Sequence, residues 1–243
     1  MRYLMIFTYD GSNFHGYQKQ KGLKTVQEEL ETLLTMINGN KFVHLISSGR
    51  TDALVHALNQ KGHFDLDKDI KCERIKRSLN KLLKGDIYIK DISVVSNIFS
   101  ARYDVKSKTY LYKINIGEFD PIESKYVYQY CKKLDLDKML AASKYLLGEH
   151  DFASFVKKDS VKEDSVRTIY NIDIKELDNK IYIEVTGSGF MRYMVRNIVG
   201  LLVACGSGKK LVSDVPTILA KKDRVFAAKT APACGLYLKD VKY

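Results

Sequence analysis

The chain of 243 residues has no tryptophan, only three prolines and four cysteines, and it lacks a long apolar run. No two cysteines are spaced as a CxxC pair, so the sequence suggests neither a zinc site nor a disulfide framework. Without proline-, serine- or glycine-rich linkers, the chain is expected to be globular, with one domain or two. No segment resembles a signal peptide or a membrane span, so we expect the reducing cytoplasm and no membrane partner.

Signatures of nucleotide and metal binding are also missing. In "GSGFMR" the third glycine of a dinucleotide fingerprint falls at Arg192, and "GSGKK" lacks the glycine and hydroxyl residue of a phosphate loop, at Val203 and Lys210. The histidines are never spaced as metal ligands and no GxSxG occurs, so each histidine is expected to pack or form hydrogen bonds. We therefore expect no metal and no cofactor. A phosphate-transferring enzyme that uses "GSGKK" remains the weakest alternative.

Basic residues are in excess. Lys and Arg number 40 against 29 Asp and Glu, which gives a formal net charge of +11. Such an excess favours a polyanionic partner through counterion release, although a soluble basic protein without such a partner remains open. In "ERIKRSLNKLLKG" apolar residues at helical spacing oppose a row of cations that suits a phosphate backbone or a merely solvated face: Arg74, Arg77, Lys81 and Lys84.

Hydrophobic periodicity predicts an α+β fold with antiparallel sheets, because neighbouring strands read as hairpins rather than crossovers. Strands are predicted at "RYLMIFTYDG", "KGHFD", "DIYIKDISVV", "KTYLYKINIG", "RTIYNIDIKEL" and "KIYIEVTGSG". Helices are predicted at "TVQEELETLL", "ERIKRSLNKLLKG", "DLDKMLAASKYLLG" and from about Phe190 to Cys205. The first of these helices begins with a capping box formed by Thr25 and Glu28.

The segment "SSGRTDALVHALNQ" places Asp52 two residues after Arg50 in a polar loop. An adjacent cation lowers the pKa of an aspartate and keeps it ionised, as a nucleophile or base requires. The alternative is an ordinary turn held by a local ion pair, which is common in proteins.

"GRTDALVHA" resembles the G-R-T-D-A-G-V-H-A signature of the tRNA pseudouridine synthase A (TruA) family. Further segments match that family in order along the chain: "YDGSNFHGYQKQ" with "TVQEELE", "FSARYDVKSKTYLYKI", "GEHDFASF", "SVRTI", "GSGFMRYMVRNIVG" and "APACGLYLKDVKY". The resemblance implies two related α+β halves, each an antiparallel sheet with helices on one face, around a central basic cleft. The expected domains are 1–103, with the Asp loop, and 104–243, with the active-site Tyr and Arg.

By this resemblance Asp52 is the catalytic aspartate, Arg50 the arginine beside it, Tyr110 the active-site tyrosine and Arg196 the basic partner of the aspartate. Uridine isomerisation breaks the N1–C1′ bond and joins C5 to C1′, so it needs no cofactor. Asp52 either adds covalently or removes a proton. Tyr110 stacks on the base and takes the C5 proton, while Arg196 keeps Asp52 ionised.

The family also implies a tRNA substrate, modified at uridines 38, 39 and 40 of the anticodon arm, and a homodimer. The target base must leave its stack, so basic side chains have to hold the RNA. The candidate RNA contacts are Lys19, Lys21, Lys24, Arg74, Arg77, Lys81, Lys84 and Arg192.

Four positions depart from the family pattern: Leu54 and Asn59 replace glycine, Tyr17 replaces tryptophan and Ser100 replaces histidine. If the glycine at position 54 has a positive φ, a leucine there costs about 1 kcal/mol or more and displaces the Asp52 loop. A tRNA-binding module or chaperone with little activity is therefore the leading alternative to an enzyme.

Overall fold

The structure, a computed structural model, describes residues 1–83, 85–156 and 165–243. The chain forms two compact units, the first made of Met1–Lys106 with Tyr237–Tyr243 and the second of Ser107–Leu236. The predicted boundary at 103/104 lies close to the first crossing between the units. The C-terminal strand, however, belongs with the first unit rather than with 104–243, because it pairs with a strand of that unit.

The strands of the described residues are β1 (Arg2–Tyr9), β2 (Ile46–Ser47), β3 (His56–Asp65), β4 (Ile87–Val94), β5 (Ser107–Asn115), β6 (Tyr128–Gln129), β7 (Gly148–Asp151), β8 (Val166–Leu177), β9 (Lys180–Gly187) and β10 (Leu236–Lys242). The helices are α1 (Val26–Ile37), α2 (Cys72–Leu82), α3 (Leu136–Lys144), α4 (Met194–Gly206) and α5 (Asp214–Lys221). The predicted α+β class is confirmed. The sequence patterns did not single out β2, β6, β7, α5 or β10, most of which are short.

The sheet of the first unit has the strand order β4-β1-β3-β10, and β2 pairs with β3. All these pairs are antiparallel, as predicted, except for β10 and β3, which run parallel with Tyr237 opposite His56. Strand β1 alternates strictly, with every second residue buried from Tyr3 to Tyr9. This alternation places one face of the central strand in the core.

Helix α1 begins after Thr25, as predicted, but its start is capped differently. The Thr25 side chain makes no cap hydrogen bond, so the predicted capping box is wrong. The amide groups of Val26 and Gln27 instead donate to the carbonyl oxygens of Gly16 and Tyr17, at 3.4 and 2.9 Å. Backbone from the "HGYQ" segment thus satisfies two of the amide groups at the helix start that have no partner within the helix.

Helix α2 buries Ile75 and Leu79, as predicted, whereas Leu82, at the helix end, is 45% exposed. The Asn80 side chain fixes the helix to β4, because it donates to the carbonyl of Ile89 at 2.9 Å and accepts from its amide at 2.8 Å. One face of α2 is therefore held in the core and the opposite face is left to solvent.

The sheet of the second unit has the order β5-β9-β8-β7, and the pairs along this order are antiparallel. The short strand β6 pairs in parallel with β5 and is the exception. The predicted hairpin of β8 and β9 is confirmed, and its turn places Asp178 and Asn179 at positive φ, 52° and 58°. Short polar residues tolerate this left-handed backbone better than other non-glycine residues do.

Helix α4 begins at Met194, not near Phe190 as predicted, because Tyr193 has a left-handed backbone with φ of 67°. Every residue of α4 is buried except Arg196, which is half-buried. A helix that is apolar on all sides belongs in a core, so a single charged residue on it requires a polar environment.

Candidate active site

Asp52 lies in the connection between β2 and β3, where it is half-buried and its carbonyl accepts from the amide of Val55 at 3.2 Å. Arg50 is exposed, and no ion pair joins it to any residue that the structure describes. The alternative of a turn held by an Arg50–Asp52 ion pair is therefore wrong. The expectation that Arg50 keeps Asp52 ionised by direct pairing has no support either.

Thr51, directly before the aspartate, is held from two sides by residues 9–17, which we call the N-terminal motif. Its carbonyl accepts from the amide of Tyr17 at 3.1 Å, and its Oγ1 lies 2.8 Å from the buried hydroxyl of Tyr9. Burial raises the pKa of Tyr9, so this hydroxyl stays protonated and neutral. The backbone that leads into Asp52 therefore has little freedom to move.

Two glycines allow the same motif to approach the loop closely. A Cβ at Gly11 would lie 2.1 Å from the carbonyl oxygen of Val55, and one at Gly16 would lie 3.0 Å from that of Thr51. Gly16 also has a φ of 98°, which side-chain-bearing residues rarely adopt. Glycine is required at both positions because the two backbones are in contact.

The base of the loop is fixed by a buried amide. Gln60 on β3 accepts from the Ser48 hydroxyl at 2.6 Å and donates to the carbonyl of Gly49 at 3.1 Å. The Ser47 hydroxyl donates to the same carbonyl at 2.8 Å. Sequence reasoning did not assign these residues, although Ser47, Ser48 and Gln60 all lie within the segment that it singled out.

His56 joins the loop to both ends of the chain. Its Nδ1 accepts from the amide of Gly11 at 3.1 Å and lies 3.2 Å from the carboxylate of Asp10. Its ring stacks on Tyr237 of β10, with centroids 4.7 Å apart, and only 2% of the residue is exposed. The histidine four positions after Asp52 is thus a hydrogen-bonding and packing residue, as the sequence predicted, and it supports the loop.

Leu54 has a φ of 66° and is 48% exposed. The leucine thus has the left-handed backbone for which the sequence predicted a cost. The loop therefore keeps the conformation that a glycine would favour, at a cost of about 1 kcal/mol for a leucine. Asn59, the other replacement of glycine, needs no such backbone, since it lies in β3 without a positive φ.

In the second unit Tyr110 lies on β5, opposite Val185 of β9, and is 8% exposed. Its ring meets that of Phe190 edge to face, with centroids 5.3 Å apart. Phe190 begins the segment that leads into α4. Tyr110 therefore contacts the segment that carries Arg192 and leads into the helix of Arg196.

Arg192 and Arg196 share one aromatic partner. Their guanidinium carbons lie 5.3 and 4.8 Å from the ring centroid of Tyr193, within the range of a cation–π interaction. Arg192 is exposed and precedes α4, whereas the predicted helix from about Phe190 to Cys205 included it. Arg196 is held more firmly, because its Nε donates to the carbonyl of Ala231 at 2.8 Å.

The charge of Arg196 also reaches two buried groups of the second unit. Burial raises the pKa of the Tyr112 hydroxyl and of the Cys234 thiol, and the charge of Arg196 opposes both shifts. Tyr112 donates to the carbonyl of Pro232 at 2.7 Å, so it serves as a structural hydrogen-bond donor. Arg196 thus lies where fixed charge acts on neighbouring groups through a poorly solvated environment.

Three candidate RNA contacts lie near the start of α1. Lys24 pairs with Asp86 at 2.8 Å and lies 4.5 Å from the ring centroid of Phe14, while Lys19 is 3.6 Å from Glu28. Lys21 is exposed. Neighbouring carboxylates therefore offset the charge of Lys19 and Lys24, and Lys21 is the most accessible of the three.

The cationic row on α2 faces solvent. Arg74, Arg77 and Lys81 are exposed, and none forms an ion pair with a residue that the structure describes. Lys84, the fourth predicted member of the row, lies outside the described residues. Three cations at spacings of three and four therefore form a continuous positive strip along one helix.

The fold and the site define an α+β protein with a braced, partly exposed carboxylate loop in one unit. Its other unit carries a tyrosine and two arginines around an aromatic segment. A family described as tRNA pseudouridine synthase matches residues 5–104 and 142–243. No helix in residues 1–83, 85–156 and 165–243 is long and apolar enough to cross a membrane.

Relatives similar over nearly their whole length carry the name tRNA pseudouridine synthase A. The protein of Limosilactobacillus reuteri is 43% identical over 100% of this chain and 96% of its own. That of Anoxybacillus flavithermus is 43% identical over 97% and 96%, and that of Caldicellulosiruptor saccharolyticus 42% over 99% and 98%. The chain belongs to the tRNA pseudouridine synthase family, whose members are isomerases.

Proposed function

We propose that this protein isomerises uridine to pseudouridine in the anticodon stem-loop of tRNA, at positions 38, 39 and 40, with Asp52 as the catalytic residue. Family membership supports the reaction. The observation that carries the assignment to Asp52 is the bracing of its loop by Thr51, Gly11, Gly16 and His56. A loop that only connects two strands does not require such contacts, whereas a catalytic carboxylate needs a fixed position.

The proposed reaction breaks the N1–C1′ bond, rotates the uracil and forms a C5–C1′ bond. The proton on C5 is lost and N1 gains one, so no group or electron is exchanged with a second reactant. Asp52 acts either as a nucleophile, at the ribose or the uracil, or as a base, and both routes need it ionised. This balance is consistent with the expectation that the enzyme uses no cofactor.

Tyr110 and Arg196 are proposed to act on the same nucleotide as Asp52. Tyr110 offers a ring that can stack on uracil and a hydroxyl that can take the C5 proton. Arg196 is proposed to offset negative charge that develops on the detached base and to favour the ionised form of Asp52. The exposure of Arg50 supports a contact with the RNA backbone next to the target rather than a direct pair with Asp52.

The strip on α2, together with Lys21 and Arg192, is proposed to contact phosphates of the tRNA. The target base must leave its stack, at a cost of a few kcal/mol, so backbone contacts have to hold the RNA during that step. This role is supported by the exposure of the strip and by the lack of ion pairs between it and the residues that the structure describes. Lys19 and Lys24 are weaker candidates because carboxylates compete for them.

We further propose that the enzyme works as a homodimer in the cytoplasm, where its tRNA substrate is present. Both expectations rest on the family resemblance. Light scattering coupled to size-exclusion chromatography tests the dimer, since a dimer has twice the chain mass of 27.8 kDa. A particle that contains one chain, both alone and in the complex with tRNA, would contradict it.

The decisive experiment measures release of tritium from C5-labelled uridine in unmodified tRNA. The wild-type protein is expected to release it, and Asp52→Asn is expected to lose activity by at least about a thousandfold, because the nucleophile or base is gone. Asp67→Asn, which neutralises an exposed acid paired with Lys41, is the matched control and should remain active. No release by the wild-type protein would instead support the RNA-binding module.

A further inference from the structure

A second strongly basic surface lies in the second unit, around the turn that follows α5. We define the C-terminal basic surface by five residues: Lys209, Lys210, Lys221, Arg224 and Lys229. They include the two lysines of "GSGKK", the motif that fails as a phosphate loop. Three of the five, Lys209, Lys221 and Lys229, are exposed and the other two are half-buried.

Three of these cations, Lys210, Lys221 and Arg224, come from separate segments and lie near Phe226. The Nζ of Lys210 lies 3.4 Å from the carbonyl oxygen of Phe226, and that of Lys221 lies 5.2 Å from the centroid of its ring. Arg224 is two residues away and donates to the Thr230 hydroxyl at 2.8 Å. The fold therefore brings cations from separate segments close to one aromatic ring.

Neighbouring carboxylates offset this charge only in part, because none forms an ion pair with these five cations among the described residues. Asp214 accepts from the amide of Leu211 at 2.9 Å, and Asp223 accepts from that of Val225 at 3.0 Å, so both cap backbone. Asp151 forms an ion pair with Lys222, at 2.9 Å. None of the five cations of the surface has an ion-pair partner within the part of the chain that the structure describes. Such a cluster repels itself unless an external anion binds.

The surface is joined to the helix that carries Arg196. Thr230 donates to the buried side chain of Asn197 at 2.7 Å, and the amide of Ala231 donates to the carbonyl of Arg196 at 3.1 Å. A Cβ at Gly200 would lie 2.0 Å from the carbonyl oxygen of Lys229, so the segment rests directly on α4. RNA held by this surface would be fixed relative to Arg196.

We propose that the C-terminal basic surface is a second RNA-backbone contact, which binds phosphates of the tRNA flanking the nucleotide that reacts. The proposal rests on the proposed function for the identity of the polyanion. Clustered lysines with one arginine suit phosphate oxygens, which they recognise as point charges without reading the sequence. The C-terminal basic surface therefore contributes to the affinity for tRNA and to the position of the bound tRNA, whereas Asp52 carries out the reaction.

The test compares two double variants of equal charge change. Lys209→Gln/Lys229→Gln removes two exposed cations of the surface whose side chains form no hydrogen bond or ion pair with the residues that the structure describes. Lys138→Gln/Lys175→Gln is the control, because these lysines of the same unit already pair with Asp135 and Asp173, at 3.0 and 2.7 Å. Equilibrium binding of tRNA is measured by filter binding over a range of KCl concentrations, and turnover by tritium release.

The surface variant is expected to bind tRNA roughly tenfold more weakly near 0.15 M salt, and the slope of log Kd against log salt should fall by about two. The KM should rise in parallel, with kcat within about twofold of wild type. Equal slopes for the two variants would overturn the proposal, as would unchanged tRNA binding with lost binding to phosphatidylglycerol vesicles. Binding needs no turnover, so an inactive wild type would refute the proposed function without deciding this proposal.

Discussion

At the scale of single residues, Leu54 combines an ordinary side chain with a left-handed backbone, two positions after Asp52. Its side chain is half exposed, so little apolar burial offsets the strain. Leu54→Gly is therefore expected to raise the free energy of unfolding by up to about 1 kcal/mol, relative to Leu54→Ala. Chemical denaturation of both variants measures the difference.

Leu54→Ala is the appropriate control because it removes the side chain but keeps the Cβ that causes the strain. We expect kcat to stay within about twofold of wild type in both variants, since the loop already has the conformation that glycine favours. A lower stability of the glycine variant than of the alanine variant would show that the backbone is not strained. A large gain in kcat would show that Leu54 displaces Asp52.

His63 on β3 makes the stability of the first unit dependent on pH. Burial, with a contribution from the charge of Arg2, lowers the pKa of His63 below its ordinary value of 6.5. The unfolded chain therefore binds a proton that the folded chain resists, and stability is lost as pH falls from about 6.5 towards the folded pKa. The loss from this group cannot exceed about 1.4 kcal/mol per pH unit.

Denaturation at pH 7, 6 and 5 of the wild type and of His63→Gln checks this expectation, and the variant should lose less stability on acidification. The pKa of Asp65, which Arg2 lowers below 3.8, affects stability only at more acidic pH, so the two effects are separable. Parallel pH profiles of the two proteins would contradict the assignment to His63.

At the scale of elements, β3 carries two buried histidines, and each accepts a hydrogen bond from a backbone amide at a different end of the strand. His56 accepts from the amide of Gly11 at 3.1 Å beside the Asp52 loop, and His63 accepts from that of Ala101 at 3.0 Å at the other end of the strand. His56→Leu and His63→Leu are each expected to lower stability by about 1–3 kcal/mol, because each leaves a buried amide without an acceptor.

Activity should separate the two variants under conditions in which both are folded. His56→Leu is expected to lower kcat by roughly tenfold or more with little change in KM, since a small misplacement of a catalytic group has a large effect. His63→Leu should keep kcat within about twofold. Equal kcat values would mean that His56 supports only the fold and not the position of Asp52.

At the scale of the whole molecule, sequence periodicity located the principal strands and four of the five helices found among the described residues. Local patterns carry that information because a buried face repeats with the period of its element. The pattern did not predict that backbone from Gly16 and Tyr17 would cap α1, or that Tyr193 would delay α4. Both depend on tertiary contacts or on a strained residue that only the folded chain reveals.

For the candidate site, too, the sequence indicated the functional residues but not the contacts that hold them. Asp52, Tyr110 and Arg196 were named from the family resemblance, and Arg50 was expected to pair with the aspartate, which the structure does not support. The support of the loop by His56 was not assigned, because its partners are far away in sequence. Position in a motif indicates which residues matter, whereas the contacts that position them are long-range.

The C-terminal strand illustrates such a long-range contact, because the end of the chain completes the sheet that carries the Asp52 loop. Leu238 and Val241 of β10 are buried. Two side chains of β3 also bind this strand: Asn59 donates to the carbonyl of Lys239 at 3.1 Å and Lys61 donates to that of Val241 at 2.7 Å. Removal of Tyr237–Tyr243 is expected to lower stability by roughly 3–6 kcal/mol, from these two side chains alone.

Hydrogen exchange should localise this loss. After the truncation, we expect amides of β3 near His56 to lose more protection than those of the β8–β9 hairpin, because Tyr237 pairs with His56 and stacks on its ring. Leu238→Ala/Val241→Ala is the milder control, which keeps the strand and its backbone hydrogen bonds and should lower protection at β3 by a smaller amount. Equal loss in the hairpin and in β3 would contradict the assignment of β10 to the first unit. A truncated protein that keeps its kcat would further show that the Asp52 loop does not depend on this strand.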